Sequence, residues 1–253
     1  MTDGVQGGLA GRVVVVTGGT RGIGRATSEL LARAGAAVVL TGRDELETER
    51  AAAELSAAGA VPVTGAAFDV ADFDAVSAAF KAIAARHGRI DGLVANAGVS
   101  ENAVIGMITP RSVERLLATN VAGTIFTVQA AARIMMRRGA GSIVVLASVV
   151  GEHGSAGQTA YAASKAAAAT VARSASKELG PRGIRVNAVA PGLIDTEMTA
   201  RIPEAVVEAR LADTALRRLG DPVDVARVIR FLISDEAAFV TGQVLGVDGG
   251  LVL

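Results

Sequence analysis

Short apolar runs rich in valine and isoleucine alternate along the chain with longer, alanine-rich stretches whose apolar positions recur at helical spacing. The runs predict seven strands, at 12–17, 37–41, 61–68, 92–95, 142–147, 185–189 and 243–247. The stretches between them predict helices near 22–34, 44–58, 72–87, 111–138, 158–180 and 222–233. Strands that are apolar on both faces are typical of a parallel sheet covered by helices on each side. The pattern therefore predicts an α/β, three-layer Rossmann fold with a doubly wound, seven-stranded parallel sheet.

No linker interrupts this alternation, so we expect one domain over residues 1–253. In a doubly wound sheet, ligands bind beyond the carboxyl ends of the strands. The stretch 193–219 breaks the regular alternation, and long insertions at that edge often form lids. We interpret 193–219 as a lid over the substrate.

Composition excludes several classes of function. Lys plus Arg and Asp plus Glu are both 25, so a net charge of zero argues against a nucleic-acid partner. The chain has no cysteine and two histidines, which makes a metal site improbable on sequence grounds. Charged residues interrupt every apolar stretch before the roughly 18 residues that a membrane span needs, and the start lacks a signal-peptide pattern. We expect a cytoplasmic protein.

A glycine-rich turn follows the first predicted strand and opens the first helix, with the sequence Thr17-Gly18-Gly19-Thr20-Arg21-Gly22-Ile23-Gly24. Glycines let the backbone turn sharply and approach a pyrophosphate, while the helix start offers free amide donors. Strand, glycines and helix in this order predict a dinucleotide-binding turn.

The end of the second strand bears on which dinucleotide binds. A carboxylate there would bond the ribose 2′-hydroxyl of NAD, whereas an arginine would accept the 2′-phosphate of NADP. Gly42 stands where the carboxylate is expected, Arg43 follows it, and Arg21 lies in the glycine turn. These residues predict NADP(H) rather than NAD(H), although Asp44 could pair with Arg43 or bind a ribose.

The only tyrosine of the chain, Tyr161, precedes Lys165 by four positions. Four residues make about one helical turn, so the phenol and the ammonium would share a face, and a nearby cation favours the phenolate. Such a pair can transfer protons. For an isolated pair of this spacing, a half-buried tyrosine beside a surface lysine is the more common explanation.

These motifs together resemble the classical short-chain dehydrogenases/reductases over nearly the whole chain. The resemblance implies a catalytic tetrad of Asn120, Ser148, Tyr161 and Lys165. Ser148 would bond the substrate carbonyl, Tyr161 would donate a proton to it, Lys165 would bond the nicotinamide ribose and lower the tyrosine pKa, and Asn120 would hold a relay water. Implied cofactor contacts are Gly18, Thr20, Arg21, Gly22, Ile23, Gly24, Arg43, Asp69, Val70, Asn96, Ala97, Gly98, Tyr161, Lys165, Pro191, Gly192, Ile194 and Thr196.

Within this family the sequence is most similar to bacterial 3-oxoacyl-acyl-carrier-protein reductases, for example at 147–151, 186–192 and 216–222. That resemblance implies reduction of a 3-oxoacyl thioester to the 3-hydroxyacyl product, with Arg133 and Lys177 recruiting the acidic carrier protein. The loop after Asn96-Ala97-Gly98 departs from the reductase pattern and borders the substrate. A free ketone or secondary-metabolite substrate is therefore the alternative, and a non-catalytic NADP-binding sensor is a remote one.

The family resemblance also implies a homotetramer. The predicted helices at 111–138 and 158–180 are rich in alanine and valine, and the chain ends in Leu251-Val252-Leu253. A monomer would leave part of this apolar surface exposed to water.

Overall fold

The computed structural model describes residues 8–58, 61–202 and 204–251. Seven strands form one sheet in the order β3-β2-β1-β4-β5-β6-β7, and every neighbouring pair is parallel. The strands are β1 (Val13–Val16), β2 (Ala37–Gly42), β3 (Val63–Ala67), β4 (Gly92–Ala95), β5 (Gly141–Leu146), β6 (Ile184–Pro191) and β7 (Val244–Val247). The predicted seven-stranded parallel sheet is confirmed.

Nine α-helices lie within the described residues. They are α1 (Gly22–Arg33), α2 (Glu45–Ala58), α3 (Phe73–His87), α4 (Pro110–Leu116), α5 (Gly123–Met135), α6 (Val150–His153), α7 (Thr159–Leu179), α8 (Glu204–Ala212) and α9 (Pro222–Ile233). Alternate residues of each central strand point to opposite faces, as Val14 and Val15 do. One face packs on α1, α2 and α9, and the other packs on α3, α5 and α7. This is the predicted three-layer α/β arrangement.

Local sequence signals fix several helix ends. Asp72 accepts a hydrogen bond from Ala75 N (3.0 Å) at the start of α3, and Gly88 ends that helix with a left-handed φ of 73°. At α9, Asp221 and Asp224 form a capping box ahead of Pro222. These caps fix where α3 and α9 begin, whereas their apolar side chains pack the two helices on opposite faces of the sheet.

The helix predicted over 111–138 is present from Pro110 to Met135, but it is not a regular α-helix throughout and it ends three residues early. The structure has α4, then a π-helical turn at Leu117–Ala122, then α5, which ends at Met135. The wider turn carries Asn120, whose side chain bonds the backbone of Val99 in a distant loop. A π-helical turn adds a residue to the helix and is frequent at functional sites.

The stretch 193–219 contains more regular structure than its sequence pattern indicates. It includes a 3₁₀ turn at Thr199–Arg201 and helix α8. Backbone bonds from Ala215 N to Gly250 O (3.2 Å) and from Leu216 N to Gly249 O (3.0 Å) hold its end against the C-terminal tail. Of the apolar C-terminal residues, Leu251 is described, whereas Val252 and Leu253 lie outside the described residues, as does the N-terminal segment 1–7.

Candidate active site

A cleft of about 620 Å³ opens at the carboxyl edge of the sheet, beyond β1, β2, β4 and β5. All the residues predicted to contact a cofactor line it, as does Ser148. Asn120 is absent from the lining and is 1 % exposed. The structure thus brings the eighteen residues predicted to contact a cofactor to one cavity, while Asn120 is buried behind the cavity wall.

Close packing explains the glycine-rich turn. A Cβ at Gly24 would lie 2.1 Å from the carbonyl oxygen of Gly18, so only glycine fits where α1 passes the turn. Gly18 and Gly22 have φ of 64° and 52°, values that favour glycine. Asn96 holds the turn from β4, because its Nδ2 donates to the carbonyl oxygens of Thr17 and Gly18, at 2.9 Å each.

The start of α1 suits a phosphate. Arg21 is its N-cap and makes no side-chain cap, and the first turn carries no acidic residue. By contrast, α3, α4 and α9 are capped by Asp72, Thr109 and Asp221. The amide donors of α1 therefore face the cleft without a side-chain acceptor, in the arrangement that binds an anion. These residues fit the pyrophosphate of a dinucleotide.

The end of β2 has no room for an acidic side chain at position 42. A Cβ at Gly42 would lie 2.4 Å from Thr48 Oγ1 and 2.9 Å from Thr20 Cγ2. Asp44 stands just before α2, and its Oδ1 accepts from Glu47 N at 2.8 Å, so this carboxylate caps the helix. Within the described residues Arg43 has no carboxylate within ion-pair distance. Its guanidinium is exposed at the cleft and can bind a phosphate.

Arg21 links the glycine turn to the stretch 193–219. Its guanidinium lies 3.2 Å from a carboxylate oxygen of Glu197, and both side chains are well exposed. A Cβ at Gly22 would in turn meet Thr196 Cγ2 at 3.4 Å. Residues 196 and 197 therefore cover the turn from the opposite side of the cleft.

Tyr161 and Lys165 lie on one face of α7, beside the end of β5. Lys165 is 6 % exposed, and its Nζ donates to the carbonyl oxygen of Leu146 at 2.7 Å. The same Nζ lies 6.0 Å from the centre of the Tyr161 ring. Ser148 follows β5 and lines the cleft with Tyr161. Ser148, Tyr161 and Lys165, three members of the predicted tetrad, thus line the same cavity.

Both polar atoms of the Asn120 side chain form hydrogen bonds, to the backbone of Val99 and to the Ser164 hydroxyl. Its Oδ1 accepts from Val99 N at 2.8 Å, and its Nδ2 donates to Val99 O at 2.9 Å and to Ser164 Oγ at 3.0 Å. Ser164 Oγ in turn donates to Tyr161 O at 2.7 Å. Asn120 therefore connects the loop after β4 to the helix that carries Tyr161.

Comparison with known proteins agrees with this geometry. A family model described as Enoyl-(Acyl carrier protein) reductase matches residues 18–252. The 3-oxoacyl-(acyl-carrier-protein) reductase of Thermotoga maritima is 40% identical over 247 residues, 97% of this chain and 99% of that protein. The chain belongs to the short-chain dehydrogenase/reductase family. It is an oxidoreductase that acts on CH–OH or C=O groups.

Solved structures give the same result. A crystal structure of the 3-oxoacyl-(acyl-carrier protein) reductase from Brucella melitensis matches with a TM-score of 0.93 and 34% identity, over 98% of this chain and 94% of that one. A crystal structure of levodione reductase matches with a TM-score of 0.91 and 32% identity, over 96% of this chain and 98% of that one. The Rossmann fold of this dehydrogenase/reductase is thus shared with enzymes whose names indicate different carbonyl substrates.

Burial sets the proton affinities at this oxidoreductase site. It raises the pKa of Tyr161 to about 12, while the adjacent Ser148 hydroxyl acts in the opposite direction. It lowers the pKa of Lys165 to about 8. The lowering of the tyrosine pKa that the resemblance implies for Lys165 is not seen: burial raises this pKa, the Ser148 hydroxyl opposes it, and the Lys165 Nζ is directed at Leu146 O. At neutral pH the phenol is protonated and the lysine mostly charged.

Sequence reasoning missed two residues of the site. Thr17 Oγ1 accepts from Asn96 N (3.0 Å) and Ala97 N (3.1 Å), which ties the end of β1 to that of β4. Ser164, fully buried, joins Asn120 to Tyr161. A signal for Ser164 was present, since a polar residue three positions after Tyr161 falls on the same helix face.

The described residues also lack two other kinds of feature. In those ranges no group of three or more His, Cys, Asp or Glu side chains is placed to hold a metal ion. Over the same residues, no helix combines the length and apolar character that a membrane span requires.

Proposed function

We propose that the protein is an NADPH-dependent reductase that converts 3-oxoacyl thioesters to 3-hydroxyacyl thioesters, as in fatty acid biosynthesis. One observation carries this proposal: Ser148, Tyr161 and Lys165 share a cleft whose far end presents the exposed guanidinium of Arg43. The proposal takes further support from relatives 36–40% identical over nearly the whole chain, which are named 3-oxoacyl-(acyl-carrier-protein) reductases.

In this proposal, different residues of the cleft bind different parts of the cofactor. The uncapped start of α1 binds the pyrophosphate, and Arg21 and Arg43 bind the 2′-phosphate. Asp69 and Val70 border the adenine, and the Lys165 ammonium donates to the nicotinamide ribose. Bound NADPH would supply the hydride to the carbonyl carbon.

In this proposal the protein side chains, and not the cofactor, bind the carbonyl oxygen and transfer the proton. Ser148 donates a hydrogen bond to the carbonyl oxygen, and the Tyr161 hydroxyl gives that oxygen its proton as the carbon is reduced. The raised pKa of Tyr161 keeps this proton in place at neutral pH, which suits the reducing direction. We assign the return of a proton to the phenolate to Lys165, with a relay water held at the backbone carbonyl of Asn120 as its link to solvent, since the Asn120 side chain already bonds Val99 and Ser164.

The partner and lid are also part of this proposal. Arg133 and Lys177 are exposed on α5 and α7, and within the described residues neither has a carboxylate within ion-pair distance. Two unpaired cations suit an acidic carrier protein. Residues 193–219 form the lid, since Thr196 and Glu197 already face the glycine turn.

A free ketone is the second candidate substrate. It is favoured by the levodione reductase similarity and by the loop after Gly98, which borders the cleft through Val99 and Ser100. A sensor without turnover is disfavoured, because the proton-donating side chains line the same cleft as the phosphate-binding turn.

A substrate panel separates these possibilities. NADPH oxidation would be followed at 340 nm with 3-oxoacyl thioesters, free ketones and a trans-2-enoyl thioester, the last because the matching family is described as enoyl-(acyl carrier protein) reductase. We expect 3-oxoacyl thioesters to have the highest kcat/KM and the enoyl thioester to be inert. Turnover of ketones with silence on every 3-oxoacyl thioester would refute the proposal.

A further inference from the structure

A second cavity, of about 480 Å³, lies between α3 and α5, and we call it the α3–α5 groove. Among the described residues, none that lines this groove also lines the cofactor cleft. Ile125 and Met136, which are exposed apolar side chains of the α5 region, are absent from its lining as well. The α3–α5 groove is therefore separate from the catalytic site and from that exposed apolar surface.

The floor of the groove and one of its ends are apolar. Val76 and Phe80 are almost fully buried in the floor, and Ile134 is half-buried beside them. Phe73, the first residue of α3, packs edge to face on Phe126 of α5, with 5.2 Å between the ring centres. A hydrocarbon chain that covered these side chains would leave water, which favours its binding.

The other end of the groove is basic. Lys81, Arg133 and Arg137 are exposed there, and within the described residues none of them has a carboxylate within ion-pair distance. A fourth cation, Arg138, is paired with Asp91 at 3.1 Å. The lining found among the described residues contains no Asp or Glu. This end suits an anionic group.

The dimensions of the groove favour a small molecule over a protein segment. A cavity of 480 Å³ is of the size that holds small ligands, whereas a helix with its side chains is about 10–12 Å across. The direct packing of Phe73 on Phe126 leaves no room for such a helix between α3 and α5. Lys81 follows Phe73 by eight residues, or about 12 Å along α3. One hydrocarbon chain with an anionic head group can span that distance.

We propose that the α3–α5 groove binds a free fatty carboxylate, with the carboxylate at Lys81 and Arg137 and the hydrocarbon chain along the floor toward Phe73. An ammonium and a guanidinium form charge-assisted hydrogen bonds with a carboxylate, and each methylene that leaves water adds to the affinity. The inference goes beyond the proposed function and does not depend on which carbonyl the enzyme reduces.

The test is isothermal titration calorimetry of the full chain at saturating NADPH. The probes are dodecanoate, hexanoate and dodecyltrimethylammonium, each below its micelle concentration. We expect one dodecanoate to bind per chain, at least about tenfold more tightly than hexanoate because more methylenes leave water. Dodecyltrimethylammonium should not bind, because its cationic head would meet the cations of the groove.

Variants locate the bound carboxylate. The double variant Lys81→Ala/Arg137→Ala should bind dodecanoate at least about tenfold more weakly, because it loses the charge-assisted hydrogen bonds. Ala130→Leu places a larger side chain on the floor and should also weaken binding. Arg86→Ala and Ala82→Leu are the matched controls, since both residues are exposed on α3 outside the lining, and they leave the affinity unchanged. Thermal unfolding of each variant confirms that it is folded.

Three outcomes would overturn the inference. Equal dodecanoate affinity in the unmodified protein and the double variant places the ligand elsewhere, as in the substrate cleft. Absence of binding, with the double variant impaired only on carrier-linked substrates, assigns the groove to the carrier protein. Absence of binding, with a smaller particle mass for Ala130→Leu by light scattering, assigns it to a second copy of the chain. The proposed function stands or falls separately, on the substrate panel.

Discussion

Lys165 is a buried cation beside the proposed proton donor, and its environment predicts a pH dependence. Burial lowers the pKa of Lys165 to about 8, whereas the pKa of Tyr161 is raised to about 12. As pH rises through about 8, the ammonium loses its proton and with it the ribose contact and the relay. We expect kcat/KM for reduction to be constant from about pH 6.5 to 7.5 and to fall toward tenfold per unit above pH 8. A profile that stays level to about pH 9.5 would contradict this role.

Arg43 decides the choice of cofactor in this account. Arg43→Ala removes charge-assisted hydrogen bonds to the 2′-phosphate, so kcat/KM for NADPH falls by about 10- to 100-fold while that for NADH stays near its original value. Arg50→Ala is the control, because Arg50 is another exposed arginine and lies on α2 outside the cleft lining. Equal losses with both cofactors would show that Arg43 does not read the phosphate.

At the level of elements, Asn120 in the π-helical turn at Leu117–Ala122 is expected to contribute more to the free energy of unfolding than an exposed loop residue does. Asn120→Ala leaves the backbone N–H and C=O of Val99 and the hydroxyl of Ser164 without their buried partner. We expect the free energy of unfolding to fall by about 2–4 kcal/mol in urea titrations. The exposed loop variant Asn102→Ala should cost less than about 1 kcal/mol. A similar small loss for Asn120→Ala would mean that Asn120 does not hold the loop to α7.

The elements that sequence predicted best are those specified by local signals. Apolar runs and caps place all seven strands and most helices, since burial pattern and capping are written within a few residues. The π-helical turn at Leu117–Ala122 was missed because Asn120 bonds Val99, which is remote along the chain. Helix α8 was missed because the pattern of 193–219 mixes polar and apolar positions without a clear helical period.

The sequence was enough to predict which residues line the site, but not the direction of the pKa shift at Tyr161. The motifs brought the predicted cofactor residues to one cleft, because each motif follows a strand whose carboxyl end meets the same edge. The direction of the Tyr161 pKa shift was wrong, since it depends on how much water the packed site excludes.

For the whole molecule, we expect a homotetramer. Leu117, Ile125 and Met136 are large apolar side chains exposed on the outer side of the α4–α5 region, and Phe239 is fully exposed near β7. Association would remove these surfaces from water. Light scattering should give four times the mass of the 25.4 kDa chain at micromolar concentration. A 25.4 kDa particle under those conditions would refute the tetramer.

The central claim is that Tyr161 donates the proton to a carbonyl reduced by NADPH, and Tyr161→Phe tests it most directly. This substitution keeps the ring of the chain's only tyrosine and removes its acid. The measurement is kcat on a 3-oxoacyl thioester at saturating NADPH, with cofactor binding checked by fluorescence titration. We expect a loss of about 100-fold or more in kcat with little change in NADPH affinity. Turnover close to that of the unmodified enzyme would contradict it.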